Sequence, residues 1–195
     1  MTEPFRLVVG MSGSSGAIYG IRLLEILKGM PEVETHLVVT PAARQTIAFE
    51  TDWKPSDVSS LADFTYRPGD IAAPISSGSF PIDAMIVLPC SVRSLGAIAW
   101  SQNDSLLVRA ADVTLKERRK LVVALRETPL HLGHLRAMTQ VTEMGGILAP
   151  LMPAFYGRPA TLGDLVDHQV GRLCDLLGIK PPDELVERWH GPATH

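Results

Sequence analysis

The chain contains 195 residues, of which 18 are basic and 21 acidic, and its formal net charge is -3 at pH 7. Since no long run of one sign stands out, the sequence disfavours a nucleic-acid-binding surface. This length suffices for one compact core and is short for two, so we predict a single domain over 1–195. Two cysteines are too few for a disulfide framework, and no basic-then-apolar signal segment opens the chain, which favours a cytoplasmic protein.

Short apolar runs alternate with helical patterns in the first half of the chain. A nearly continuous apolar run around Leu7 predicts a strand covered on both faces, and residues 17–24 then place apolar side chains on one face of a helix. The run at 35–40 predicts a second strand. Thr40, followed by a proline, supplies an N-cap and a first-turn proline for a second helix.

The second half resumes this alternation after a segment, 51–80, that is rich in Pro, Ser and Asp and to which we assign no element. The apolar segment 145–155 is well short of the roughly 20 residues of a membrane-spanning helix. Strands are predicted at 84–89, 121–125 and 146–153, and helices at 104–120, 131–145 and 161–178, with a tail from about 180 that is extended or helical. Strands that alternate with helices predict an α/β three-layer sandwich with a mostly parallel sheet.

A glycine- and serine-rich loop, Gly10 to Gly16, follows the first strand. Its G-x-x-G-x-x-G spacing differs from the dinucleotide pattern, and it lacks the lysine of a Walker loop. The small residues allow backbone amides to approach a ligand, while Ser12, Ser14 and Ser15 add hydroxyls near a helix N-terminus. Taken alone, the loop fits an anion site and a tight packing turn equally well.

Hydroxyl groups also follow the second and fourth predicted strands, at Thr40 and in the segment 91–94. Because the carboxyl ends of parallel strands meet at one edge of the sheet, these groups and the glycine loop predict a phosphate-binding pocket. Ser91 and Ser94 also fit ordinary helix capping, and both roles are compatible. Cys90 fits a packed thiol better than a nucleophile, because the sequence places no base beside it.

Four cations lie in or beside apolar segments, although an isolated Lys or Arg is usually a surface charge. Arg126 is more informative, because it and Glu127 directly follow a buried strand and so lie at the ligand-binding edge. The other three are Arg109, Lys116 and Arg172, and Tyr156 follows the last predicted strand. His131 and His134 are spaced for one helical face, but no further ligand is close in sequence, so we predict no metal site.

Six segments in order resemble the UbiX family of flavin prenyltransferases. They are GMSGSSGAIYG from Gly10, ISSGSF from Ile75, LPCSVRSL from Leu88, RAADVTLKERR from Arg109, RETPLHLGHL from Arg126 and PAFYGRP from Pro153. The resemblance runs from Leu7 to about Trp189. Several motifs in the same order are far more specific than any one of them.

This resemblance implies a flavodoxin-like or Rossmann-like fold and an enzyme that joins a dimethylallyl group, from dimethylallyl phosphate or its diphosphate, to N5 and C6 of reduced FMN. No metal is implied. The prenylated FMN would pass to a UbiD-type decarboxylase, often for ubiquinone biosynthesis, and the protein would be a dodecamer with sites at subunit interfaces. Older descriptions called such proteins aromatic-acid decarboxylases, a label that by resemblance belongs to the partner.

The resemblance also implies the site residues. Those for the cofactor are Gly13, Ser14, Ser15, Thr40, Ser91, Val92, Arg93, Ser94 and Arg126. Those for the allyl phosphate are Arg109, Lys116, Arg126, Tyr156 and Arg172. The catalytic residues would be Ser15, Glu50, Lys116, Glu127 and Tyr156.

Two other functions share parts of this pattern. A flavin-dependent cysteine decarboxylase has the same fold but is expected to carry a P-x-M-N-x-x-M-W segment, which is absent from the sequence. A non-catalytic FMN carrier needs one phosphate site, whereas this chain offers a second set of cations and Tyr156. We therefore expect a prenyltransferase and keep both alternatives for comparison.

Overall fold

A computed structural model describes residues 3–182, 185 and 191. The strands are β1 (Phe5–Met11), β2 (Val33–Val39), β3 (Phe64–Tyr66), β4 (Ala84–Cys90), β5 (Lys120–Leu125) and β6 (Ile147–Leu148). The helices are α1 (Ala17–Lys28), α2 (Pro41–Glu50), α3 (Pro55–Ser59), α4 (Val92–Ala99), α5 (Leu106–Lys116), α6 (Leu132–Glu143) and α7 (Leu162–Leu177), with a short 3-10 turn at Pro74–Ser76. The predicted tail falls largely outside the described residues.

The six strands form one sheet in the order β3-β2-β1-β4-β5-β6, and every neighbouring pair is parallel. This confirms the predicted α/β fold with a parallel sheet. The chain winds outward in one direction from β1 and in the other from β4. The loops that follow these two strands therefore diverge, and the crevice between them is where ligands bind in open α/β sheets.

Each strand sends alternate side chains to opposite faces of the sheet, and both faces are covered. Leu7 and Val9 pack on the face covered by α1 and α7, whereas Val8, between them, packs on the face covered by α4, α5 and α6. All three side chains are completely buried. Coverage on both sides explains why the strands appear in sequence as continuous apolar runs rather than as alternating patterns.

The helix ends follow the predicted capping signals. Thr40 Oγ1 accepts a hydrogen bond from the Ala43 amide at the start of α2. Thr161 and Asp164 form a reciprocal capping box at the start of α7, and Gly178 ends this helix with a φ of 87°. Only a glycine adopts that left-handed conformation at little cost. None of the helices in the described part of the chain combines the length and hydropathy needed to cross a bilayer.

The structure differs from the prediction at the two edges of the sheet. The segment 51–80 contains α3, the three-residue strand β3 and the 3-10 turn, although we assigned no element there. The strand predicted at 146–153 is shortened to β6. Beyond it, the amides of Ala149 and Leu151 still donate to β5 carbonyls at 2.9 Å. The nitrogen of Pro150, between them, faces away from β5 on this edge strand, so the proline removes no hydrogen bond to β5 and is tolerated there.

Candidate functional site

A cleft of about 720 Å³ opens at the carboxyl ends of β1, β2, β4 and β5. The loop after β1 contributes residues 12–15 and the start of α2 contributes residues 40–42. Residues 91–94 after β4 and residues 126–127 after β5 complete its inner wall. The strand ends that carry polar side chains in sequence are thus brought together at one edge of the sheet, as predicted.

Ser12 ties the two central loops of the cleft together. This buried hydroxyl accepts a hydrogen bond from the Ser91 amide at 2.8 Å and donates to the Pro89 carbonyl at 3.1 Å. The Ser12 amide also donates to that carbonyl, at 3.1 Å. Because these bonds join positions 77 and 79 residues apart, they fix the distance between the loops on either side of the crevice.

Four helices begin at or beside the cleft, and the three that follow β1, β2 and β4 differ in what occupies their N-termini. At α1, a carboxylate oxygen of Glu50 accepts hydrogen bonds from the amides of Gly16 and Ala17 at 2.8 and 3.2 Å. The helices α2 and α4 are capped by the hydroxyls of Thr40 and Ser91, which are neutral. Since helix N-termini favour anions, an incoming phosphate is best stabilised at α2 and α4, where no carboxylate competes.

Two features of the glycine loop fit a bound organic group. The Ser14 hydroxyl is buried and has no hydrogen-bond partner within the described residues, and Ser14 lines the cleft. Buried polar atoms are almost always paired, so this one indicates a ligand partner. At Gly13, a Cβ atom would overlap the Cβ of Ala42 and lie 3.1 Å from its carbonyl carbon. The absence of a side chain at Gly13 therefore allows the loop after β1 to approach α2.

Arg126 and the carboxylates near it give the cleft its charge. Burial alone would raise the pKa of Glu50, but hydrogen bonds from Ser15, Gly16 and Ala17 and the positive charge of Arg126 together lower it. The Glu50 carboxylate is therefore ionised at neutral pH. Glu127 lines the same cleft, and one of its carboxylate oxygens accepts a hydrogen bond from the Thr128 amide at 3.0 Å.

Ten of the residues selected from sequence lie together in this cleft. They are Gly13, Ser14, Ser15, Thr40, Ser91, Val92, Arg93, Ser94, Arg126 and Glu127. Glu50 lies beside it through its contacts with the start of α1. The side chain of Arg93 is 74% exposed and pairs with Asp104 at 3.3 Å, so this residue contributes to the cleft mainly through its backbone position at the start of α4.

The remaining four predicted residues do not line the cleft, and each contacts another part of its own chain. Arg109 Nη1 pairs with Asp112 at 3.0 Å, and Lys116 Nζ donates to Glu117. Tyr156 Oη lies 2.7 Å from His168 Nε2. Arg172 pairs with Asp175. One copy of the chain therefore brings together the predicted cofactor residues but not the predicted allyl phosphate residues.

The outer rim of the cleft contains residues that we did not select from sequence. The amide of Leu106 donates to the Pro68 carbonyl at 2.8 Å, which places the segments around 68–69 and 104–107 side by side. No motif marks these positions, because they meet through tertiary packing between distant parts of the chain. From the sequence, only the opposite charges of Arg93 and Asp104 could have indicated that the segment around 104 lies at this rim.

In the part of the chain that the structure describes, the cysteines and histidines add neither a reactive thiol nor a metal site. Burial raises the pKa of both Cys90 and Cys174 to about 12, so neither is a thiolate at neutral pH. The rings of His131 and His134 stack with centroids 3.6 Å apart, and His131 caps α6. Within the described residues, no three side chains of His, Cys, Asp or Glu form a group able to hold a metal ion.

The sequence and fold match proteins of known activity. A family model described as Flavoprotein matches residues 1–173. The flavin prenyltransferase UbiX of Escherichia coli (strain K12) is 54% identical over 186 residues, which cover 95% of this chain and 98% of that protein. The chain belongs to the UbiX family of flavin prenyltransferases. This confirms the family predicted from the six ordered motifs.

Solved structures of the family share the fold closely. AnUbiX, in complex with FMN and dimethylallyl pyrophosphate, superposes with a TM-score of 0.94 at 48% identity and covers 97% of this chain and 99% of that chain. A dodecameric FMN-dependent UbiX-like decarboxylase from Escherichia coli O157:H7 gives a TM-score of 0.93 at 49% identity, over 95% of this chain and 100% of that chain. The peptidyl-cysteine decarboxylase EpiD has 16% identity and a TM-score of 0.62, which indicates a common fold alone.

Proposed function

We propose that this protein is a flavin prenyltransferase that transfers a dimethylallyl group to N5 and C6 of reduced FMN. The observation that supports this most directly is the cleft. The unpaired buried hydroxyl of Ser14 and the N-termini of α2 and α4, which are capped by neutral hydroxyls, all face this one space. Membership of the UbiX family and the complex of AnUbiX with FMN and dimethylallyl pyrophosphate supply the ligand identities.

In this proposal, FMN binds with its phosphate at the starts of α2 and α4, where Thr40 and residues 91–94 donate hydrogen bonds. The ring system lies against Gly13, Ser14 and Ser15. Arg126 contacts the flavin from the end of β5. When bound, reduced FMN supplies the electron-rich N5 and C6 atoms that accept the allyl carbons, and no metal is needed.

The second anion site is incomplete in one copy of the chain, because four of its five predicted residues, all except Arg126, lie outside the cleft. We therefore infer that the protein assembles into an oligomer in which neighbouring copies bring these side chains to the cleft. The dodecamer of the related protein from Escherichia coli O157:H7 supports an assembly of this kind. The side chains to be supplied from α5, α7 and the loop after β6 are Arg109, Lys116, Tyr156 and Arg172.

Two of these groups, together with residues of the cleft, have specific chemical roles in the transfer. Breaking the allylic carbon–oxygen bond leaves negative charge on the phosphate, which Lys116 and Arg172 stabilise as preorganised cations. Ring closure joins C6 to the tertiary allyl carbon while the adjacent alkene carbon gains a proton and C6 loses one, and Glu127, with Ser15 and the departing phosphate, relays this proton. Glu127 suits this role because it lies in the cleft beside Arg126.

The reaction test is incubation with reduced FMN and either dimethylallyl phosphate or the diphosphate, followed by the product mass. A mass increase equal to the dimethylallyl group less the one hydrogen that it replaces, seen with one donor, supports the proposal and identifies the donor. Release of carbon dioxide from a peptide with a C-terminal cysteine would instead support the cysteine decarboxylase. FMN binding without either reaction would leave the carrier function.

Two variants separate the steps. Lys116→Ala should bind FMN with nearly unchanged affinity but lose most of the prenyl transfer activity. Removal of one such donor commonly raises the reaction barrier by about 3 kcal/mol. The Glu127→Gln enzyme should still form the bond to N5, but it should accumulate the N5 adduct because the additional ring to C6 does not close. A Glu127→Gln enzyme that closes the ring at the normal rate would refute the proton relay.

The wider setting follows from the same proposal. We infer that the 195 residues act as one flavin-binding unit in the cytoplasm. The prenylated FMN would pass to a UbiD-type decarboxylase, which fits a place in ubiquinone biosynthesis.

A further inference from the structure

The segment Ser76–Phe80, here called the serine loop, is held by two arginines, one in the first part of α5 and one in the turn that follows this helix. Arg119 donates through Nη1 to the Phe80 carbonyl and through Nη2 to the Gly78 carbonyl, both at 2.9 Å. Arg109 donates through Nε to the Ser76 carbonyl at 3.2 Å. The planar guanidinium of Arg119 thus spans two carbonyls with one rigid group, which a lysine cannot reproduce.

The tip of the serine loop lies directly against Lys116. A Cβ atom at Gly78 would lie 2.7 Å from Lys116 Nζ and would overlap the Glu117 carboxylate. Lys116 donates to that carboxylate and holds the pKa of Glu117 below its usual value. The ammonium group of Lys116 is therefore bounded on one side by Glu117 and on another by the backbone of Gly78.

The base of the loop is held independently of these contacts. The Phe80 ring packs edge-on against buried His36, with ring centroids 5.3 Å apart. The guanidinium carbon of Arg6 lies 5.7 Å from the centroid of the Phe80 ring. Loss of the Arg119 bonds would therefore release the tip of the loop, where Gly78 meets Lys116, more than its base.

We propose that Arg119 is a positioning residue for the allyl phosphate site, because it holds Gly78 against Lys116 and so sets the direction of the Lys116 ammonium group. The inference rests on the proposed function, in which Lys116 binds the phosphate of the donor. Arg119 itself touches neither the donor nor the flavin. It acts through the backbone of the serine loop.

The experiment measures binding of dimethylallyl phosphate to the full-length protein loaded with oxidised FMN, which does not react, by calorimetry. Arg119→Gln should raise the dissociation constant roughly 10-fold, the effect of losing a well-placed charged contact, while FMN affinity stays within about 2-fold. Arg119→Lys should bind as weakly as Arg119→Gln, because charge alone does not span the two carbonyls. Full rescue by lysine would overturn the inference.

A double-mutant cycle tests whether Arg119 acts through Lys116. If it does, adding Arg119→Gln to Lys116→Ala should weaken binding no further, whereas independent effects would multiply. Multiplied effects would overturn the inference. Gly78→Ala, which keeps every charge but displaces Lys116 and Glu117, should also raise the dissociation constant, and wild-type binding by this variant would count against the proposal.

The matched control is Arg118→Gln, since Arg118 is exposed and makes no side-chain hydrogen bond within the described residues. It should bind both ligands as the wild type does. Thermal unfolding of each variant confirms that the protein is folded. Wild-type protein that binds FMN but not dimethylallyl phosphate would overturn the proposed function and this inference together. Wild-type affinity for both ligands in Arg119→Gln would overturn this inference alone.

Discussion

A single added methyl group at Gly13 should weaken FMN binding, because it forces the glycine loop away from α2. In Gly13→Ala, the new methyl would overlap the Cβ of Ala42 and lie 3.1 and 3.2 Å from the carbonyl and α carbons of that residue. These atoms belong to the first turn of α2, whose start is fixed by the Thr40 cap. Since backbone cannot move aside as a flexible side chain does, the glycine loop must withdraw from α2.

The size of the effect follows from the overlap. Insertion of a methyl group into tightly packed surroundings costs about 1–3 kcal/mol. If the loop withdraws to relieve the contact, FMN must pay the same energy to restore the bound geometry, and each 1.4 kcal/mol is a factor of 10 in affinity. We therefore expect the FMN dissociation constant of Gly13→Ala to rise roughly 5- to 150-fold.

The assay is titration of FMN into the flavin-free protein, followed by quenching of flavin fluorescence. Gly96→Ala is the matched control, because it adds the same methyl group within α4, where no atom of the described residues beyond the chain neighbours and the backbone of that helix lies within 4 Å. The control should bind FMN normally, and alanine should favour its helix by about 0.5–1 kcal/mol. Wild-type affinity and stability in Gly13→Ala would refute the claim that the loop and α2 must approach closely.

Two further predictions concern ionisation. The folded-state pKa of Glu50 is lowered, so its ionised form stabilises the protein above the ordinary glutamate value of about 4.3, and this stabilisation is lost as the pH falls through the lowered pKa. The difference in unfolding free energy between wild type and Glu50→Gln should therefore be larger at pH 7 than at pH 3, and an equal difference would contradict the assignment. Burial raises the pKa of Cys90 to about 12, so iodoacetamide at pH 8 should label this thiol in urea but not in the native protein; rapid native labelling, detected by peptide mass, would refute this.

The sheet was predictable because its central strands are buried on both faces. Residues such as Val8 and Val9 point to opposite sides and are both completely buried, which requires the continuous apolar runs seen in sequence. The edge strand β3 carries no such signal. It has three residues, and its first, Phe64, is 48% exposed. Its residues, Phe-Thr-Tyr, favour a strand by composition, but three positions are too few to show a continuous or alternating apolar pattern.

The inner wall of the cleft was predictable for a related reason. In a parallel sheet, the residue that follows each strand lies at the same edge, so chain order alone brings Ser14, Thr40, Ser91 and Arg126 together. The contacts that refine this wall depend on side-chain directions across long sequence separations. Glu50 reaches the start of α1 from 34 residues away, and no local pattern specifies that contact.

The distribution of charge explains why one chain forms only one of the two predicted anion sites. Hydroxyls and amides at strand ends carry no permanent charge, yet they bind a phosphate. The folded chain can therefore hold them at one place, without a phosphate, at a modest cost in free energy. Lys116 and Arg172 lie on helices away from this edge, and each pairs with an acid one or three residues further along the chain. Such exposed pairs contribute little to stability, so exchange of the acid for a phosphate at a subunit interface costs little folding energy. Cations held in this way suit the proposed site, in which neighbouring copies would enclose the donor phosphate.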